Sequence, residues 1–165
     1  MKIELDKNPS LFIQNRMNDK HFMKLALQEA QKALKADEVP VGAILVRNNE
    51  ILSAAHNQPI YTNDPTSHAE INVIRKAAEN IGNYRLKDTS LYVTLEPCAM
   101  CYGAIVHSRI SRLIFGAYDL KSGVCGSSIK LHEQKCFNHM PDIEAGVLER
   151  DCSLLLKDFF KGRRN

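Results

Sequence analysis

Twenty-six residues separate two fragments that chemistry would place side by side: His68-Ala69-Glu70 and Pro97-Cys98-Ala99-Met100-Cys101. One imidazole and two thiols form a ligand set that zinc takes readily. A catalytic zinc has three protein ligands and keeps a fourth position for water, which it makes acidic near neutral pH. Glu70, two residues after the histidine, offers a carboxylate that can move protons without occupying that position. A fold that satisfies this pattern must bring two separate helix starts together. Free backbone N–H groups and the helix dipole favour negative charge there and lower thiol pKa values.

The surrounding pattern supplies such a framework. Residues 1–17 show no steady period and contain Asn8-Pro9-Ser10, a turn signal. They read as an N-terminal extension, with Leu11, Phe12 and Ile13 able to dock, ahead of a single domain over 18–165. Asn18 or Asp19 is a candidate cap for a first helix whose buried face is Phe22, Leu25, Ala26, Ala30, Ala33 and Leu34. Val39 to Val46 is a continuous apolar run, as expected of a strand covered on both faces. Arg47-Asn48-Asn49-Glu50 makes a tight turn, and Ile51 to Asn57 returns as a second strand.

A helix is expected from about His68 to Asn80, ended by Gly82, which tolerates the left-handed conformation. Leu91 to Leu95 reads as a strand. Pro97 is expected to open the next helix, where its missing N–H costs little, and that helix runs to about Ser108. Arg112 to Ala117 is another apolar strand. Residues 118–146 are rich in Gly, Ser and His, with one short strand expected near Ile143. Val147 to Phe160 reads as an amphipathic helix with Val147, Leu148, Leu154, Leu155 and Phe159 inward. Strands interleaved with helices indicate an α/β layered domain.

Composition narrows the class. A chain of 165 residues, 44% hydrophobic, can bury a single core. It has no apolar run near the roughly 20 residues a membrane helix needs, and Met1 to Lys7 lacks the apolar centre of a signal peptide. Five cysteines is an odd number, and two of them belong to the ligand set, so a disulfide framework is not expected and a reducing cytoplasm fits. Cys125, Cys136 and Cys152 read as core or loop thiols. The net charge of +3, with Lys157, Lys161, Arg163 and Arg164 near the end of the chain, is compatible with an anionic partner and equally with a solvated helix terminus.

Two other readings of the ligand set are open. A closed structural zinc site would need a fourth protein ligand, for which Cys125, Cys136, His132 and His139 are candidates, and would leave Glu70 without a task. A redox Cys-x-x-Cys pair would leave both His68 and Glu70 idle.

At this point the chain resembles the bacterial tRNA-specific adenosine deaminases, within the cytidine-deaminase-like fold. The likeness runs from about Phe22 to Arg164. Beyond the two ligand fragments it takes in Glu38 to Ala43, Asn57 and Pro59, Asp64-Pro65-Thr66, Asn83 to Leu86 and Leu91 to Cys98. It continues through His107 to Ile110, Phe115-Gly116-Ala117, Asp119, Lys121, Gly123, Asn138-His139 and Asp158-Phe159-Phe160. Tyr118 stands where the family often has a small or basic residue.

The resemblance implies a three-layer α/β/α fold with a five-stranded mixed sheet. It implies a homodimer with one zinc per subunit, no organic cofactor, and adenosine-to-inosine conversion at the wobble position of a tRNA anticodon stem-loop. By position, His68, Cys98 and Cys101 look like the zinc ligands and Glu70 like the catalytic proton shuttle. Asn57 looks like a contact to the flipped nucleoside, and Asp119 like a residue near its sugar-phosphate. The ligand fragments alone would equally fit a deaminase of a free nucleoside or base, such as cytosine, cytidine or guanine. A zinc-stabilised RNA-binding module without turnover is a third class.

Overall fold

The computed structural model describes residues 9–163. Five strands form one sheet: β1 (Gly42–Arg47), β2 (Glu50–His56), β3 (Ser90–Leu95), β4 (Arg112–Ala117) and β5 (Asp142–Ala145), ordered β2-β1-β3-β4-β5. The first two pairings are antiparallel and the last two parallel, so the sheet is mixed. The helices are α1 (Pro9–Lys35), the short α2 (Pro59–Thr62), α3 (Ala69–Ile81), α4 (Ala99–His107) and α5 (Glu149–Gly162). No helix among the described residues is long and apolar enough to cross a membrane.

The pleat explains the layering. Gly42, Thr94 and Gly116 share one face by register. A Cβ on Gly42 would run into the backbone of α1 at Ala26 and Ala30, and one on Gly116 would run into Cys152 of α5. Those two helices therefore lie on that face, close enough that only hydrogen fits beneath them. Leu45, three residues on from Gly42, points to the other face, as does its partner Ser53, whose hydroxyl donates to Val73 O of α3 at 2.8 Å. α4 packs against α3 on that same side. β1 is buried along nearly its whole length, as its unbroken apolar run requires.

β2 lies at a margin of the sheet, and its outer carbonyls are not left bare. Asn72, Lys76 and Asn80, one per turn of α3, donate to the carbonyls of His56, Ala54 and Leu52 at 3.0, 3.2 and 3.5 Å. Three side chains of one helix thus close the row.

Several boundaries differ from the sequence reading. Of the expected N-terminal extension, residues 1–8 lie outside the described residues, while 9–17 are the first turns of α1. Asn18 and Asp19 are therefore helix interior and not caps. Nothing between Leu11 and Lys35 breaks a helix, and Pro9 sits at its start, where proline is tolerated. Asp19 is 4% exposed and works sideways: Tyr92 Oη donates to it at 2.7 Å, and the Arg112 guanidinium donates to both its oxygens at 3.3 and 3.0 Å. The inner face of α1 is Phe22, Met23, Ala26, Ala30 and Ala33, whereas Leu34 is 37% exposed.

Gly82 does end α3, with φ 71. Cys98, not Pro97, is the N-cap of α4. In α5, Cys152, Leu156 and Phe159 face the core at i, i+4 and i+7, and Leu154 is 45% exposed, a register shift from the expected one. β5 falls where one short strand was expected. Cys125 and Cys152 are buried and Cys136 is exposed.

Candidate metal centre and active site

β2 and β3 run in the same direction with β1 antiparallel between them. The two strands are thus parallel without being neighbours. Their C-terminal ends still share one margin of the sheet, so α3 and α4, which follow them, start side by side.

His68 is the residue before α3, in extended conformation (φ −75°, ψ 156°). Its imidazole does not cap the helix. That task falls to Asn57, just past β2, whose Oδ1 accepts the Ala69 N–H at 2.8 Å. The preceding turn is held by Asp64, which accepts the Thr66 N–H and hydroxyl at 2.8 and 2.7 Å. Cys98 holds the corresponding place before α4, and Cys101 follows one turn later.

These turns bring the three ligand atoms within 4.8 Å of one another. His68 Nδ1 lies 3.8 Å from Cys98 Sγ and 3.5 Å from Cys101 Sγ. A tetrahedral zinc with ordinary Zn–N and Zn–S bonds separates its nitrogen and sulfur ligands by about 3.6 Å. The donor set and its spacing therefore fit zinc. Among the described residues no fourth ligand atom joins this group. His139 is spent on Ile110 O at 2.7 Å, and Cys136 is exposed. A closed structural site lacks its fourth ligand.

The two sulfurs compete for one charge. The Cys101 S–H hydrogen bond and the nearby His68 pull Cys98 down to about 4 against its burial. The same shared hydrogen bond and burial push Cys101 far up. A dication between them would let both bind as thiolates.

Glu70 is 4% exposed, in the first turn of α3. Burial pushes its carboxyl up to about 7, against the opposing pull of its own backbone N–H and of His68. A proton carrier works best when its pKa lies near the working pH.

His68, Glu70 and Cys98 border a cavity of about 930 Å³, and Asn57 and Asp119 line it too. Asn57 is 7% exposed. Asp119 is less enclosed, and its Oδ1 accepts the backbone N–H groups of Lys121 and Ser122 at 3.0 and 3.1 Å, which braces its own turn. Val41, Leu95 and Leu156 give the cavity an apolar lining, while Lys121, Lys157 and Arg163 add positive charge. Tyr118 and Phe160 also border it and stay 46% and 44% exposed.

Arg163 is tied back: its guanidinium donates to Asp37 Oδ1 and O at 2.6 and 2.8 Å and lies over the Phe159 ring. The sequence reading assigned no role to Glu96, which borders the cavity as well. Its hydrogen-bond partners lie 23 to 31 residues away, too far for any local pattern to reveal.

Comparison with known proteins gives a consistent picture. Residues 16–117 match the cytidine and deoxycytidylate deaminase zinc-binding region. The chain is 48% identical over 147 residues to a tRNA-specific adenosine deaminase of Haemophilus influenzae, covering 88% of this chain and 85% of the relative. It is 44% identical over 146 residues to the Bacillus subtilis protein of the same description, covering 88% and 91%. A structure solved in work on A-to-I editing by tRNA:A34 deaminases at the wobble position superposes with a TM-score of 0.81 at 46% identity. It covers 82% of this chain and 99% of that one.

Proposed function

We propose, since this chain belongs to the tRNA-specific adenosine deaminases of the cytidine and deoxycytidylate deaminase zinc-binding family, that it deaminates adenosine to inosine at the wobble position of a tRNA anticodon. The observation that carries this reading is an incomplete ligand set, one imidazole and two sulfurs, beside a buried carboxylate in a cavity edged with lysine and exposed aromatic rings. Incompleteness leaves room for water, and the edge suits RNA.

One zinc per subunit would sit on His68, Cys98 and Cys101. When bound, zinc supplies Lewis acidity and lowers the pKa of a water molecule to about 7. Glu70 accepts the proton that the attacking water gives up and hands it to ring nitrogen 1 of adenine. It then takes the second proton of that water, from the hydroxyl now on carbon 6, and delivers it to the amine as the bond from carbon 6 to nitrogen breaks; adenosine and water become inosine and ammonia. Asn57, already anchored through Oδ1, contacts the flipped nucleoside. Asp119 stands near its sugar-phosphate. Extruding a base costs a few kcal/mol in a duplex and less in a loop, whose bases are already accessible. Tyr118 and Phe160 offer rings on which neighbouring bases can stack.

The working form is a homodimer, for which exposed Ile60, Tyr61 and Leu120 offer apolar surface. Free cysteines suit a reducing cytoplasm.

The test is direct. The metal-loaded protein is offered an anticodon hairpin, free adenosine, cytidine and guanine, and products are read by mass spectrometry. Inosine from the hairpin alone is expected; deamination of a free nucleoside or base with an inert hairpin would reverse the assignment. Lys157 is exposed on α5 beside the cavity and is expected to meet a phosphate. Lys157→Ala should weaken hairpin binding and flatten the slope of log affinity against log salt by about 0.7, the value for one single-strand phosphate contact. An unchanged slope would remove Lys157 from the interface.

A further inference from the structure

Glu96 follows β3 directly and stands two residues before Cys98. It is 2% exposed, and among the described residues no lysine, arginine or histidine pairs with it. A buried carboxylate is costly unless its lone pairs are met, and here one loop meets them. Oε2 accepts the Asp119 N–H at 3.0 Å and the Ser127 hydroxyl. Oε1 accepts the backbone N–H groups of Cys125 and Ser127 at 2.9 and 3.1 Å. The main chain adds two more ties, Glu96 N–H to Ala117 O at 2.8 Å and Val124 N–H to Pro97 O at 3.1 Å. Gly123 lies so close over the carboxylate that a Cβ there would overlap it.

Both ends of the segment 118–128 are therefore gathered on one side chain. Tyr118 to Ser122, the stretch that holds the tied Asp119, form a wall of the cavity. The gathering point is separated from a metal ligand only by Pro97, whose ring fixes the backbone.

We propose that Glu96 is a positioning residue: it sets the spacing between the Cys98 turn and the substrate-facing wall, and so determines how the nucleotide seats over the site. The role rests on the deaminase reading above. It requires an acceptor-only group, since only a carboxylate offers lone pairs to four donors at once. A carboxamide in its place would turn N–H against N–H and release one end of the wall.

Kinetics on the anticodon hairpin separate this role from a purely structural one. Glu96→Gln should keep one zinc per chain and a kcat within about threefold of the parent, while KM rises at least about tenfold, the scale of lost charge-assisted hydrogen bonds. Ser127→Ala, which removes one donor and no backbone tie, should raise KM in the same direction by less, and it decides the matter if Glu96→Gln does not fold. Loss of zinc with unchanged KM, or KM within twofold of the parent in the folded variants, would overturn the proposal. An unmutated protein inert on the hairpin would instead overturn the deaminase reading.

Discussion

Glu70→Gln retains its metal and loses turnover by 10²–10⁴-fold or more, the usual contribution of a positioned proton carrier. The upper part of that range is expected, because in the proposed reaction the same carboxyl serves both the addition of water and the departure of ammonia. Glutamine keeps the shape of the side chain in a site that is 4% exposed, so neither packing nor the ligand triad should change. Two readings on one sample check it: zinc by elemental analysis, and inosine formed at saturating hairpin. A variant that holds zinc and works at near-parental rate would show that the proton travels another way.

Cys101→Ala should fail differently. Cys101 is fully buried and 3.5 Å from the His68 nitrogen, and its removal leaves two protein ligands for an ion that needs three. Bound zinc and turnover should both fall to background. Stability gives an independent check, because an ion that binds only the folded state stabilises it by about 4 kcal/mol at a thousandfold excess over Kd. At about 2–4 °C per kcal/mol for a domain of this size, a strong chelator should lower the parental Tm by about 10 °C. It should leave the Tm of Cys101→Ala where it was. A variant that keeps stoichiometric zinc would point to a different ligand set.

The parts legible in the sequence were those encoded locally. The apolar run of β1, the Gly82 stop and the spacing of the ligand fragments each depend on residues a few positions apart. The start of α1 was not legible, because Asp19 resembles a cap but is committed to Tyr92 and Arg112, 73 and 93 residues onward. The register of α5 was ambiguous because Leu154, Leu155 and Leu156 compete locally. Only the placement of Cys152 beneath Gly116 selects Leu156 as the inward residue. Glu96 was opaque for the same reason as Asp19: its meaning lies in donors from a distant loop.

An open strand margin is a template on which another chain can polymerise. Here a newcomer pairing with β2 would find the carbonyls of Leu52, Ala54 and His56 already taken by amide and ammonium groups of the protein's own helix. The opposite margin, β5, has only four residues and is preceded by Pro141. Both margins of the sheet therefore offer little to an incoming strand, one because helix side chains already occupy its acceptors and the other because it is short.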